Sequence, residues 1–82
     1  MGESSPVFVG IDVSKDRLDV HLRPTGKAFC VSRDGKGLDD LISRLVDLPV
    51  ALVVLEATGG FEATVAAALA GVGLPLCVGN PR

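Results

Sequence analysis

Val50-Ala-Leu-Val-Val-Leu-Glu-Ala-Thr-Gly-Gly-Phe61 decides how the rest of the chain is read. Six apolar residues run without a charge to Leu55, Glu56 follows, and a Gly pair precedes a helical pattern. A short apolar run bounded by turn residues suits a strand buried on both faces. A carboxylate closing such a strand is costly to bury unless it stays at the rim of the sheet or meets a positive partner. Working outward, residues 6–13 form the other strand of this kind: Val7, Val9, Ile11 and Val13 face one way, Phe8, Gly10 and Asp12 the other. Both faces are apolar until Asp12, which marks a central strand.

Eighty-two residues make one domain, near the small end for independent stability. With 48% hydrophobic and 22% charged residues the chain is globular, and three Phe with no Trp or Tyr leave an aliphatic core. A net charge of -2 argues against a broad nucleic-acid footprint, yet it leaves room for a metal-mediated phosphate site, whose carboxylates are themselves acidic. Cys30 and Cys77 lack a C-x-x-C spacing and are expected as buried free thiols of a reducing compartment. Residues 1–5 carry no secretory pattern and are expected as a disordered tail. No apolar stretch is long enough to span a membrane, so the expected location is cytoplasmic.

After the first strand, Ser14-Lys15-Asp16 makes a tight polar turn. Residues 17–23 then alternate, with Leu18, Val20 and Leu22 inward and Arg17, Asp19, His21 and Arg23 outward. Pro24-Thr25-Gly26 breaks the chain before a third strand over residues 27–33, which completes an antiparallel meander. Asp34 is a helix N-cap candidate, and Leu38, Leu41, Ile42, Leu45 and Val46 follow at the spacing of an amphipathic helix. Pro49 stops that helix and launches the strand that ends at Glu56, expected parallel to strand 1. Gly59-Gly60 opens a second helix with the stripe Phe61, Val65 and Leu69, and Gly71 and Gly73 are its stop signals. A fifth strand covers residues 74–79. The order β-β-β-α-β-α-β with strand 1 central predicts an α/β, ribonuclease H-like mixed sheet of strand order 3-2-1-4-5. No helix follows to cover the second sheet face, as expected of a fragment of a larger domain.

Strands 1 and 4, as parallel neighbours, bring Asp12 and Glu56 to their C-terminal ends, where open α/β sheets place ligands. Two ionised carboxylates that close repel unless a cation neutralises them. Mg²⁺ takes a few carboxylates, keeps several waters and completes its shell with substrate phosphate. Asp12 and Glu56 are therefore the candidate catalytic and metal-binding residues, half of a phosphoryl-transfer cluster. Lys15 is a candidate phosphate contact or, more plainly, a solvated turn lysine. Thr58, Gly59 and Gly60 could offer backbone N–H groups to an anion at a helix start, though helix entry alone accounts for them. His21 reads as a solvated histidine without a metal role, Asp16 and Asp19 as surface charges, and Ser14 as non-catalytic.

Val9-Gly-Ile-Asp-Val-Ser-Lys-Asp-Arg-Leu-Asp-Val20 and Leu55-Glu-Ala-Thr-Gly-Gly-Phe-Glu62 closely resemble the start of the DEDD transposases of the insertion-sequence one-ten family, to which site-specific invertases of the pilin-gene type are related. The closing Val-Gly-Asn-Pro-Arg82 is similar to that family's end of strand 5, so the resemblance covers nearly the whole chain. It implies the N-terminal part of a RuvC-like domain acting on DNA phosphodiesters with Mg²⁺, in which Asp12 is the first acid of a tetrad and Glu56 the second. It also implies two further Asp beyond residue 82, a separate C-terminal domain with a nucleophilic Ser, and guidance by a structured RNA that the element encodes. DNA and a guide RNA are the partners expected of the intact protein; a piece holding two of four acids is expected to be inactive alone.

Two other readings compete. The actin and sugar-kinase class shares this strand order, but wants a Gly-rich phosphate turn where Val13-Ser14-Lys15-Asp16 has no Gly. A non-enzymatic module would self-associate, as a homodimer, through the uncovered sheet face or the strand 5 edge.

Overall fold

The structure, a computed structural model, describes residues 6–57 and 60–79, Ala57 by its backbone alone. The tail expected at residues 1–5, the Thr58 and Gly59 candidates, and Asn80-Pro81-Arg82 lie outside the described residues. Seven elements follow in the expected order: β1 (Val7–Val13), β2 (Arg17–Arg23), β3 (Ala28–Ser32), α1 (Gly35–Val46), β4 (Val50–Ala57), α2 (Glu62–Gly71) and β5 (Leu76–Gly79). They build one five-stranded mixed sheet, order β3-β2-β1-β4-β5. β1 pairs antiparallel with β2 and parallel with β4; β2–β3 is antiparallel and β4–β5 parallel.

Each boundary has a local cause. Asp34 is extended and its carboxylate accepts from the Gly37 N–H at 2.8 Å, so α1 starts at Gly35, ahead of its first apolar residue. α2 ends in a Schellman arrangement: Leu74 N–H donates to the Leu69 carbonyl and Gly73 N–H to that of Ala70, with Gly73 at φ +81 where a left-handed residue is required. Leu74 is thus spent on the cap and β5 begins only at Leu76, two residues later than expected. Pro75, which has no N–H, still presents its carbonyl to Val53 N–H at 2.8 Å.

Both helices pack on the same face of the sheet. Leu38, Leu41 and Leu45 of α1 and Val65 and Leu69 of α2 close over Val9 and Ile11 of β1, Leu18 and Val20 of β2, and Val53 and Leu55 of β4. Among the described residues nothing covers the opposite face. β1 and β4 are therefore covered on one side only, which corrects their expected burial on both faces: Phe8 remains 49% exposed, and Leu52 and Val54 are half-buried. Both cysteines are exposed, against the expectation of buried thiols. Cys30 is the register partner of Asp19 and Cys77 of Val54, so each stands on the open face, where no helix covers it.

One irregularity sets the face assignments on β4. Val50 pairs with Val7 but Leu52 with Phe8, so the register steps by one residue and Ala51 falls between. This bulge lets Val50 and, three residues on, Val53 both contribute to the covered side. Beyond it, Leu52, Val54 and Glu56 all face the open side.

Candidate functional site

The open face carries three rungs of side chains, each reaching across β2, β1 and β4. Arg23, Phe8 and Leu52 form the first, His21, Gly10 and Val54 the second, and Asp19, Asp12 and Glu56 the third. Rungs two residues apart along a strand are separated by about 6.6 Å, and neighbouring strands by about 4.8 Å. The face thus runs from a basic and aromatic end to an acidic end over roughly 13 Å. The acidic rung lies near the C-terminal ends of the parallel strands β1 and β4.

Asp12 and Glu56 are direct register partners, both exposed, on the same face. Neither engages in an ion pair or side-chain hydrogen bond among the described residues. Asp19, which the sequence offered only as a surface charge, completes the row on the other side of Asp12. The signal was present: a turn of Ser14-Lys15-Asp16 between two strands places residues 12 and 19 opposite each other. Asp19 leans toward Arg17, at 3.5 Å, and no group of three potential ligands converges on one point among the described residues.

A pair of exposed carboxylates on adjacent strands suits a cation that keeps most of its water, which describes Mg²⁺ and not a fully caged metal. Asp12 and Glu56 would hold it.

The loops at this end are tied together by Arg33. Its Nε donates to the Lys15 carbonyl at 2.7 Å, and its guanidinium lies 4.8 Å from the centre of the Phe61 ring at the start of α2. Lys15 itself keeps its side chain exposed at the same end of the sheet. Ser14 Oγ donates to the Arg17 carbonyl at 2.9 Å and closes the hairpin turn. Gly60, the one described member of the Thr58-Gly59-Gly60 candidates, lies exposed in the turn before α2 at φ +78.

A groove of about 300 Å³ crosses the three rungs, lined among others by Phe8, Gly10, Asp12, His21, Arg23 and Glu56. His21 and Arg23 therefore share a surface with the carboxylate pair, which the sequence reading of His21 as an isolated solvated residue missed. A second depression of about 430 Å³ shares His21 and Arg23 with the first and continues to Lys27. No helix among the described residues is long and apolar enough to cross a membrane.

No protein-family model matches this chain, and no curated protein matches it.

Proposed function

We propose that the chain is the N-terminal part of a ribonuclease H-like, RuvC-like catalytic domain of a DNA transposase or site-specific recombinase. In that role Asp12 and Glu56 supply two of four carboxylates that position divalent metal against a DNA phosphodiester. One observation carries this reading: the acids closing β1 and β4 are register neighbours on an open face. The strand order 3-2-1-4-5 and the sequence resemblance around both acids support it.

Bound Mg²⁺ would supply charge neutralisation at the phosphate and an activated water or hydroxyl. The chain's own part is to hold two carboxylates about one strand spacing apart, with Asp19 drawn off toward Arg17. Substrate would approach at the C-terminal ends of β1 and β4, where the two acids stand. DNA, a guide RNA and a cytoplasmic setting belong to this proposal for the intact protein.

Magnesium titration followed by amide NMR tests it. Shifts focused on Asp12, Glu56 and their strand neighbours, abolished by Asp12→Asn, are the expected result. Shifts spread evenly over all acidic residues, helix α1 included, would sink the assignment. Self-association is the second reading, favoured by the exposed Phe8 beside half-buried Leu52 and Val54. Five ionisable side chains on the three rungs weigh against a dry interface, because burying charges costs several kcal/mol each without ideal partners. Sedimentation at high concentration separates the two.

A further inference from the structure

We infer that the free edge of β3 is a self-pairing surface for a second copy of this chain. The second copy adds its own β3 antiparallel, across a two-fold axis at Phe29, and joins the two sheets into one. This uses neither the carboxylate pair nor the open face, and it stands apart from the function proposed above.

β3 stands first in the sheet order and, among the described residues, pairs only with β2. Leu22 N–H donates to the Lys27 carbonyl at 2.8 Å and Arg33 N–H to that of Asp16 at 3.1 Å, at opposite ends of the β2–β3 ladder. In an antiparallel pair the bonded residues alternate along each strand. Lys27, Phe29, Val31 and Arg33 therefore turn their backbone groups toward β2, and Ala28, Cys30 and Ser32 turn theirs outward. Proteins blunt such an edge with a charge, a proline, a bulge or a cover. Ala28-Phe29-Cys30-Val31-Ser32 has no charge and no proline, and its pairing with β2 runs without a bulge. The other edge, β5, is shorter, follows Pro75 directly and closes on Gly79.

The register follows from which outward groups are accessible. The Ser32 carbonyl lies against Gly37 in the first turn of α1, so closely that a Cβ there would run into it. A two-fold axis at Cys30 would set Ser32 against Ala28 and require that carbonyl. An axis at Phe29 requires only Ala28 and Cys30, which become bonded partners across the two copies, so that each of their outward N–H and carbonyl groups is satisfied. A contact of this kind is isologous and closes at a dimer.

The side chains agree with this register. It sets the two half-buried Phe29 rings opposite each other on the helix side, and cross-strand aromatic pairs stabilise a sheet. Arg44 lies over Phe29 at 4.7 Å, and Asp40 bonds Arg44 at 3.2 Å, so both line the flank of α1 above the edge. With Gly37 at Ser32 and Arg44 at Phe29, Asp40 stands level with Val31. There the register brings Lys27 of the second copy, which lies on the helix side because it is across from Leu22. The contact joins unlike charges, and symmetry repeats it.

Sedimentation equilibrium of the chain from micromolar to millimolar concentration is the test. A monomer–dimer equilibrium is expected, unchanged by Phe8→Ser on the open face. Cys30→Pro removes an outward N–H and no ladder bond with β2, which is where an edge strand accepts proline. It should fold and weaken the dimer roughly thirtyfold, since a hydrogen bond is lost on each side of the axis. Lys27→Glu should weaken it roughly threefold, and Lys27→Glu combined with Asp40→Lys should restore it. In a Cys77→Ala background, Ala28→Cys should give an oxidised dimer cross-linked to Cys30 of the second copy, because the register makes those two positions neighbours.

A monomer at every concentration would overturn the pairing, and so would a dimer that persists in folded Cys30→Pro protein. A dimer abolished by Phe8→Ser would also overturn it and place the contact on the open face. If Cys30→Pro does not fold, the cross-link decides, and its absence overturns the pairing. None of these outcomes bears on Mg²⁺ at Asp12 and Glu56, which the NMR titration reads separately.

Discussion

Asp12 on β1 and Glu56 on β4 face each other across a parallel strand pair, with Asp19 as the antiparallel partner of Asp12 on its other side. Three like charges in a row destabilise a sheet, and at about 5 Å in a water-like dielectric each pair costs under about 1 kcal/mol. Asp12→Asn removes both repulsions at once, whereas Glu56→Gln removes one. Asp12→Asn is therefore expected to raise metal-free stability by a few tenths of a kcal/mol, more than Glu56→Gln does. Mg²⁺ at a concentration equal to its Kd should stabilise wild type by about 0.4 kcal/mol and neither variant. Urea unfolding with and without Mg²⁺ checks both statements; equal stabilisation of all three proteins would show the ion acting elsewhere.

Two adjacent valines on β4 report the one-sided sheet. Val53 is fully buried under the helices, and Val54 is half-buried on the open face. Val53→Ala should cost about 2 kcal/mol and Val54→Ala well under 1 kcal/mol. For 82 residues, total stability is on the order of 4–12 kcal/mol, so the first change is a large fraction of it. Similar costs for the two, read from denaturant midpoints, would mean that the second face is covered in solution.

Most of the architecture was legible because period-2 and helical patterns rarely collide in this chain. Leu18, Val20 and Leu22 alternate with Arg17, Asp19, His21 and Arg23, and the structure keeps that division. Asp12 and Glu56 could be paired from sequence because each closes an apolar run. What escaped was face-specific. Phe8, Leu52 and Val54 are apolar, so nothing in their chemistry says that their side of the sheet is bare. The bulge at Ala51 defeats a strict alternation, because Val50 and Val53 share a face only with an extra residue between them. His21 read as a lone surface residue until the antiparallel register set it opposite Gly10, with Arg23, already expected outward, opposite Phe8.

Glycines 35 and 37, two residues apart in α1, should respond in opposite directions. A Cβ at Gly35 meets open space, whereas one at Gly37 would run into the backbone carbonyl of Ser32. Backbone cannot swing aside as a flexible side chain can. Gly37→Ala is expected to lose about 2 kcal/mol or more, and Gly35→Ala to gain up to about 0.5 kcal/mol from helix propensity. Thermal melts of the two variants decide the matter, and a neutral Gly37→Ala would show the β3–α1 junction to be looser than its geometry implies.

Cys30 and Cys77 stand exposed on the open face. Both should therefore react with a thiol reagent in the native protein at the rate of the same chain in denaturant, to within about tenfold. Protection of either by orders of magnitude would mean that the open face is covered in solution. Repeating the titration after dilution distinguishes self-association, whose protection fades, from an intrachain cover, whose protection persists.

The N-terminus of α1 gives the chain a defined acid sensitivity. Asp34 accepts from Gly37 N–H at 2.8 Å and from Ser32 Oγ at 2.7 Å, and these hydrogen bonds, the first foremost, hold its pKa below the ordinary value of 3.8. A carboxyl with a depressed folded pKa binds its proton more readily when unfolded. Its contribution to stability is fully present above pH 3.8 and is lost as pH falls through the lower folded value. Asp34→Asn keeps an acceptor oxygen but does not titrate there. It should melt on the order of 5 °C below wild type or less at neutral pH, and the gap should narrow as pH drops below 3.8. Asp34→Ala, with no acceptor, should stay below Asp34→Asn at every pH. A constant gap between wild type and Asp34→Asn across that range would show that the cap contributes nothing through its charge.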